Sequence, residues 1–134
     1  MNAEQKLKHL ILNRLADLRS LTFRTDLTVE NIDAEFQHVR ETDDGLQDAE
    51  NEVRGGTVKT GIICRTSRHF DCYAVGAKAP DGSWIGWIYW YGGGKHAEPE
   101  SVDWIDEAYD LSVTERVRTV TVQTFAKVAP ASAG

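Results

Sequence analysis

The chain has 134 residues and a formal net charge of -6, so it has the size of one domain and a charge that opposes direct binding to nucleic acid. Its hydrophobic content of 41% is that of a folded protein rather than of a disordered one. No stretch approaches the roughly 18 apolar residues of a membrane span, so we expect a single cytoplasmic domain with no membrane partner.

The amino-terminal part, residues 1–40, is predicted to be helical. Leucine and isoleucine recur every three or four residues between 3 and 21, which is typical of an amphipathic helix. A second, shorter helix follows, because Thr28 can cap a first turn that precedes a similar apolar spacing. The acidic run at 41–56 lacks sustained periodicity and is predicted to be an exposed loop.

Residues 57–128 predict an antiparallel sheet. β-branched and aromatic residues alternate in 57–66 and again in 70–78, which indicates a hairpin. If this hairpin turns at 67–69, the two cysteines, Cys64 and Cys72, face each other across it.

Two further segments complete the predicted sheet. The turn Ala79–Gly82 closes a second hairpin with a strand at 83–91. A short helix at about 99–109 precedes a last strand at 112–128, in which valine and threonine alternate with polar residues. The expected fold class is therefore α+β, with two amino-terminal helices on one face of a curved antiparallel sheet of four to five strands.

The strand at 83–91 is apolar or aromatic on both of its alternating faces, so both faces must be covered. The helices cover one face, and the other requires the inserted helix, a ligand or a second protein chain. We predict that Trp87, Tyr89, Trp90 and Tyr91 form either buried core or a partner-binding surface. If this surface binds a second copy, the protein is a homo-oligomer.

Acidic residues are concentrated in two runs. Ten acids accompany one base between residues 26 and 52, and six acids with no base lie between 98 and 110. Such runs usually face water, but rigidly held carboxylates can also imitate a phosphate array and occupy the basic groove of a nucleic-acid-binding protein. Asp103, Asp106 and Glu107 are the predicted electrostatic contacts.

The loop after the aromatic strand is predicted to be a hinge. It contains Gly92, Gly93 and Gly94, followed by Lys95 and His96. Its spacing does not match the glycine patterns that bind nucleotides, and glycine runs mostly serve backbone freedom.

The residue types of a thiol enzyme or zinc site occur at Cys64, His69, Asp71, Cys72 and His96. Their spacing matches no common metal motif, which favours buried structural thiols. No pair of carboxylates stands out as a general acid and base. The sequence therefore gives no positive evidence for catalysis and predicts no metal or cofactor.

This short acidic chain, with four tryptophans, resembles in general character the small accessory proteins of bacteriophages and prophages. The resemblance implies a protein that binds and modulates a host component, such as a transcription or defence factor. We therefore predict a non-enzymatic interaction module that binds a basic, nucleic-acid-binding protein through its acidic surface and aromatic strand.

The alternative is a small-molecule-binding module or an enzyme. Its architecture is analogous to that of cystatin-like and NTF2-like cone folds, which hold a concave sheet. In this interpretation Tyr73, Trp87, Tyr89 and His96 line a cavity under the sheet, and the loop at 92–94 gates it.

Overall fold

The computed structural model describes residues 1–64, 70–94 and 97–129. Within these residues the chain forms an open four-stranded antiparallel sheet in the order β1-β2-β3-β4, together with helices, which confirms the α+β class. The elements are α1 Ala3–Leu18, α2 Ile32–Thr42, α3 Leu46–Arg54, β1 Val58–Lys59, β2 Asp71–Lys78, β3 Trp84–Tyr91, a 3-10 turn at Pro99–Ser101, and β4 Tyr109–Leu111. None of the helices in these ranges has the length and apolar character that crossing a membrane requires.

The first helix begins with a reciprocal cap. The Gln5 backbone N–H donates to the Asn2 side chain at 2.8 Å, and the Asn2 backbone N–H donates to the Gln5 side chain at 3.0 Å. The helix ends at Leu18, three residues before the predicted end, because Ser20 has a φ of 54° and turns the chain away. Leu21, expected on the apolar face, is 64% exposed.

The predicted loop at 41–56 is wrong in part, because α3 lies within it. Leu46 and Ala49 are buried and Val53 is half-buried against the core, so a three- and four-residue spacing was present. The many acids between these positions obscured it. The amino-terminal part thus has three helices rather than two.

The antiparallel pairing of the first predicted hairpin is confirmed, but its register is not, and of the strand predicted at 57–66 only Val58–Lys59 is a strand in the described part of the chain. Val58 lies opposite Gly76, whereas the predicted pairing placed position 60 there. The predicted turn at 67–69 lies outside the described residues. The second hairpin is confirmed, with the Ala79 N–H donating to the Ser83 carbonyl at 2.7 Å.

The predicted last strand at 112–128 is wrong. The sheet ends with β4, and residues 112–129, here called the C-terminal arm, form no helix or strand. The alternating pattern supplies strand propensity, but a strand also needs a neighbour to pair with, and among the described residues the arm pairs with neither edge of the open sheet. The predicted helix at 99–109 is likewise wrong, since only Pro99–Ser101 is helical and the chain becomes extended at Val102.

The helices cover one face of the sheet. Val75, Ala77, Ile85 and Trp87 project from this face and are buried with apolar side chains of all three helices. On the opposite face, Tyr109 packs over a glycine: a Cβ at Gly86 would lie 2.8 Å from Tyr109 Cε2. That close approach leaves no room for a side chain on the central strand at this position.

Candidate functional site: an acidic groove

A groove of about 640 Å³ lies between the three helices and residues 100–106. Seven carboxylates and two cations line it, giving the lining a net charge of -5. The carboxylates are Glu4, Asp43, Asp44, Glu50, Glu100, Asp103 and Asp106, and the cations are Lys8 and Arg40. We call this surface the acidic groove.

The fold brings the two acidic runs of the sequence together in this groove. Asp43 and Asp44 come from the connection between α2 and α3, and Asp103 and Asp106 come from the segment after the 3-10 turn. Trp104 fixes that segment, because it is 5% exposed and its ring lies 5.8 Å from the ring of Trp87. The aspartates beside it consequently stay on the solvent side, where both are exposed.

The two cations of the groove already interact with its own residues. Arg40 donates to Glu50 at 2.9 Å and lies 5.0 Å above the ring of Phe36. Lys8 lies 3.3 Å from Glu4 and 5.7 Å from the same ring. Phe36 therefore forms an apolar floor with cations stacked on it, and little positive charge remains to neutralise the other acids.

Four groove carboxylates have no ion-pair partner among the residues that the structure describes: Asp44, Glu100, Asp103 and Asp106. Asp43 is different, because the Arg19 guanidinium donates to it. The unpaired carboxylates sit in a concave site, where like charges concentrate the local field. The groove can therefore attract a cationic group without first breaking an existing ion pair.

Of the three acids predicted as contacts, two line the groove and one does not. Asp103 and Asp106 belong to it, whereas Glu107 lies beside the indole of Trp90. Desolvation raises the pKa of the Glu107 carboxyl, the nearby Trp90 indole opposes that shift, and Asp106 and Asp103 add to it.

The aromatic strand is divided between core and surface. Trp87 is 0% exposed, and its Nε1–H donates to the Arg54 carbonyl at 2.8 Å. Trp87 therefore belongs to the buried core rather than to a partner-binding surface, and no partner can contact it. Tyr89 and Trp90 are half-buried, and Tyr91 is 38% exposed.

A cluster of tyrosines at one end of the sheet was not predicted from the sequence. The ring of Tyr73 lies 5.0 Å from that of Tyr89 and 5.3 Å from that of Tyr91. Arg54 lies 4.6 Å above the Tyr89 ring, and Lys59 lies 4.2 Å above the Tyr73 ring. The pairing of β2 with β3 brings these tyrosines together, because it places Tyr73 directly opposite Tyr89.

The glycine loop adopts a backbone that favours glycine. Gly92, Gly93 and Gly94 have φ values of 78°, 89° and 90°, a region that other residues rarely enter. Lys95 and His96, the remaining residues of the predicted hinge, lie outside the described residues.

The cysteines lie near each other despite the shifted register. Burial raises the pKa of the Cys72 thiol to about 12, and a hydrogen bond with Cys64 adds to the shift. Both are half-buried rather than buried. In the described ranges no group of three or more histidines, cysteines or acids is placed to hold a metal, and His69 and His96 fall outside those ranges.

A second groove, of about 430 Å³, lies between α1, the end of α3 and the turn after β2. Its apolar lining includes Leu10, Phe23, Val53 and Pro80. Neither this groove nor the acidic groove includes Tyr73, Trp87 or Tyr89. The small-molecule cavity expected under the sheet is thus not one of these two grooves.

Comparison of the chain with protein-family models, with curated proteins and with solved structures found no match. The geometry and charge of the groove are therefore the basis for assigning a function.

Proposed function

We propose that this protein is a non-enzymatic binding module whose acidic groove accepts a lysine- or arginine-rich segment of a protein partner. The observation that carries the proposal is a set of four carboxylates in a concave site that have no ion partner in the described part of the chain. Two of them, Asp103 and Asp106, were candidates from the sequence, and the fold adds Asp44 and Glu100.

The groove combines charge with an apolar floor, which is the composition that a basic segment requires. Phe36 and Trp104 lie at its base, and the half-buried Ile105 lies beside them. Carboxylates would attract the arginine or lysine head groups, while the half-buried Ile105 would contact their aliphatic stems; Phe36 and Trp104, 2% and 5% exposed, lie beneath this surface. Complementary charges of this kind mainly raise the association rate and set specificity.

The partner we propose is a basic protein of the nucleic-acid-binding class. The expected resemblance to bacteriophage accessory proteins suggests a host factor of this class. Its phosphate-binding surface would meet the groove in place of nucleic acid, and we expect binding to weaken as salt increases.

The test is calorimetric titration of the full chain with a synthetic arginine- and lysine-rich peptide at low and high salt. Asp103→Lys with Asp106→Lys should weaken binding by about tenfold or more, since two attractive charges become repulsive. The matched control is Glu30→Lys with Asp48→Lys, which makes the same change of net charge at residues that do not line the groove. Equal weakening by both pairs, or no peptide binding, would contradict the proposal.

A further inference from the structure

The C-terminal arm is an exposed segment with the composition of a strand. Within the described part of the chain, none of its backbone groups takes part in the sheet or in a backbone hydrogen bond. Its apolar side chains face solvent: Val117 is 100% exposed, Val120 75%, Val122 81%, Phe125 83% and Val128 87%. An exposed apolar segment with strand propensity can add to a strand of another chain.

The sequence of the arm is self-complementary in an antiparallel pairing with a second arm. When Thr121 faces its own equivalent, Val120 faces Val122 and Val117 faces Phe125. The same register places Glu115 opposite Lys127. Apolar, β-branched and oppositely charged cross-strand pairs each stabilise a sheet.

Neighbouring registers lose this match. Moving the centre by one residue sets Glu115 opposite either Phe125 or Ala129 and leaves Lys127 opposite a valine. In the register centred on Thr121, Arg116 and Arg118 face uncharged residues. The pairing therefore contains no like-charge pair, and every pair except the central Thr121–Thr121 pair occurs twice, as a two-fold interface requires.

Charge also favours a second copy as the occupant. The arm carries a net charge of +2, which leaves -8 on the remaining residues of the chain. In a dimer, the parts of the two chains outside the arms, each with a charge of -8, repel each other. Two paired arms between them would place positive charge in the region of this repulsion.

We propose that two copies of this chain associate through their C-terminal arms, which pair as antiparallel strands about a two-fold axis at Thr121. A two-stranded ribbon is only marginally stable in water. The dimer is therefore concentration-dependent rather than obligate. This association does not depend on the acidic groove, whose proposed partner is a different protein.

Sedimentation velocity of the full chain, over a concentration series at low salt, tests the pairing. Glu115→Lys puts two lysines opposite each other, and Lys127→Glu puts two glutamates opposite each other, so each should weaken dimerisation by about tenfold. The double variant Glu115→Lys/Lys127→Glu restores opposite charges and should restore the dimer. Overall charge alone would give a different result for Glu115→Lys, because that change makes the chain less acidic by two charges and would strengthen, rather than weaken, the association of two acidic copies.

Arg116→Glu is the matched control, because it makes the same charge change as Lys127→Glu but faces Ala126 in the paired arms. It should weaken the dimer less than Lys127→Glu does. A wild-type chain that is monomeric throughout, or a double variant no better than the single variants, overturns the proposal. Asp103→Lys/Asp106→Lys should leave the dimer intact, so a failure of the groove proposal is separable from a failure of this one.

Discussion

Strand β3 and the C-terminal arm have similar strand propensity but opposite structural outcomes. β3 is rich in aromatic and β-branched residues, pairs with β2 on one side and with β4 on the other, and contributes Ile85 and Trp87 to the core. The arm alternates valine with threonine, yet it pairs with nothing in the described chain. Propensity therefore decides which segments can be strands, whereas available edges and a covering layer decide which ones are.

The largest expected effect is at Trp87, where β3 meets the helices. Trp87→Ala should lower the free energy of unfolding by about 3–5 kcal/mol, because it empties a fully buried site and leaves the Arg54 carbonyl without its donor. Urea denaturation followed by circular dichroism measures the loss. Trp87→Phe, which keeps an aromatic ring but lacks the N–H, should cost less. A loss below about 1 kcal/mol for the alanine variant would contradict the core assignment.

Local signals were enough to predict α1 and the second hairpin. The apolar spacing of α1 and the Pro-Asp-Gly turn act over a few residues, and both were confirmed. The antiparallel pairing of the first hairpin was also predicted, but the predicted register was wrong, because it was counted outward from an assumed turn. In the structure Val58, rather than position 60, faces Gly76.

The candidate groove depended on long-range packing that the sequence did not reveal. Both acidic runs were visible, but their meeting requires α3 and the insertion of Trp104 against Trp87. α3 was missed because its three apolar positions are scattered among acids. The buried state of Trp87 was left open as one of two alternatives, since an aromatic strand has the same pattern whether a helix or a partner covers it.

Titration with acid gives a second and smaller contrast, since every ion pair found among the described residues lies outside the C-terminal arm. Arg24 donates to Asp26 at 2.6 and 2.7 Å, and this hydrogen bonding lowers the pKa of the Asp26 carboxyl to about 2. Because the folded-state pKa is lowered from 3.8, the stabilisation is complete above 3.8 and disappears as the pH falls through about 2.

Asp26→Asn should therefore be less stable than the wild type at neutral pH, with a difference that vanishes as the pH approaches 2. Thermal denaturation of both proteins over a pH series measures this convergence. Glu30→Gln, which removes an exposed charge without an ion partner in the described ranges, controls for net charge. A constant difference between the wild type and Asp26→Asn across the series would show that the Arg24 pair does not titrate as described.

The smallest effect is expected in the arm. Phe125 is 83% exposed, so Phe125→Ser should change the free energy of unfolding of the monomer by less than about 0.5 kcal/mol. Urea denaturation at two protein concentrations separates the monomer from the dimer, because association stabilises the folded state by mass action. At the higher concentration the wild type should gain stability that Phe125→Ser lacks, since Phe125 faces Val117 in the paired arms. If Phe125→Ser greatly lowered the free energy of unfolding at the lower concentration, the arm would have to pack on the rest of its own chain, and the contrast with β3 would disappear.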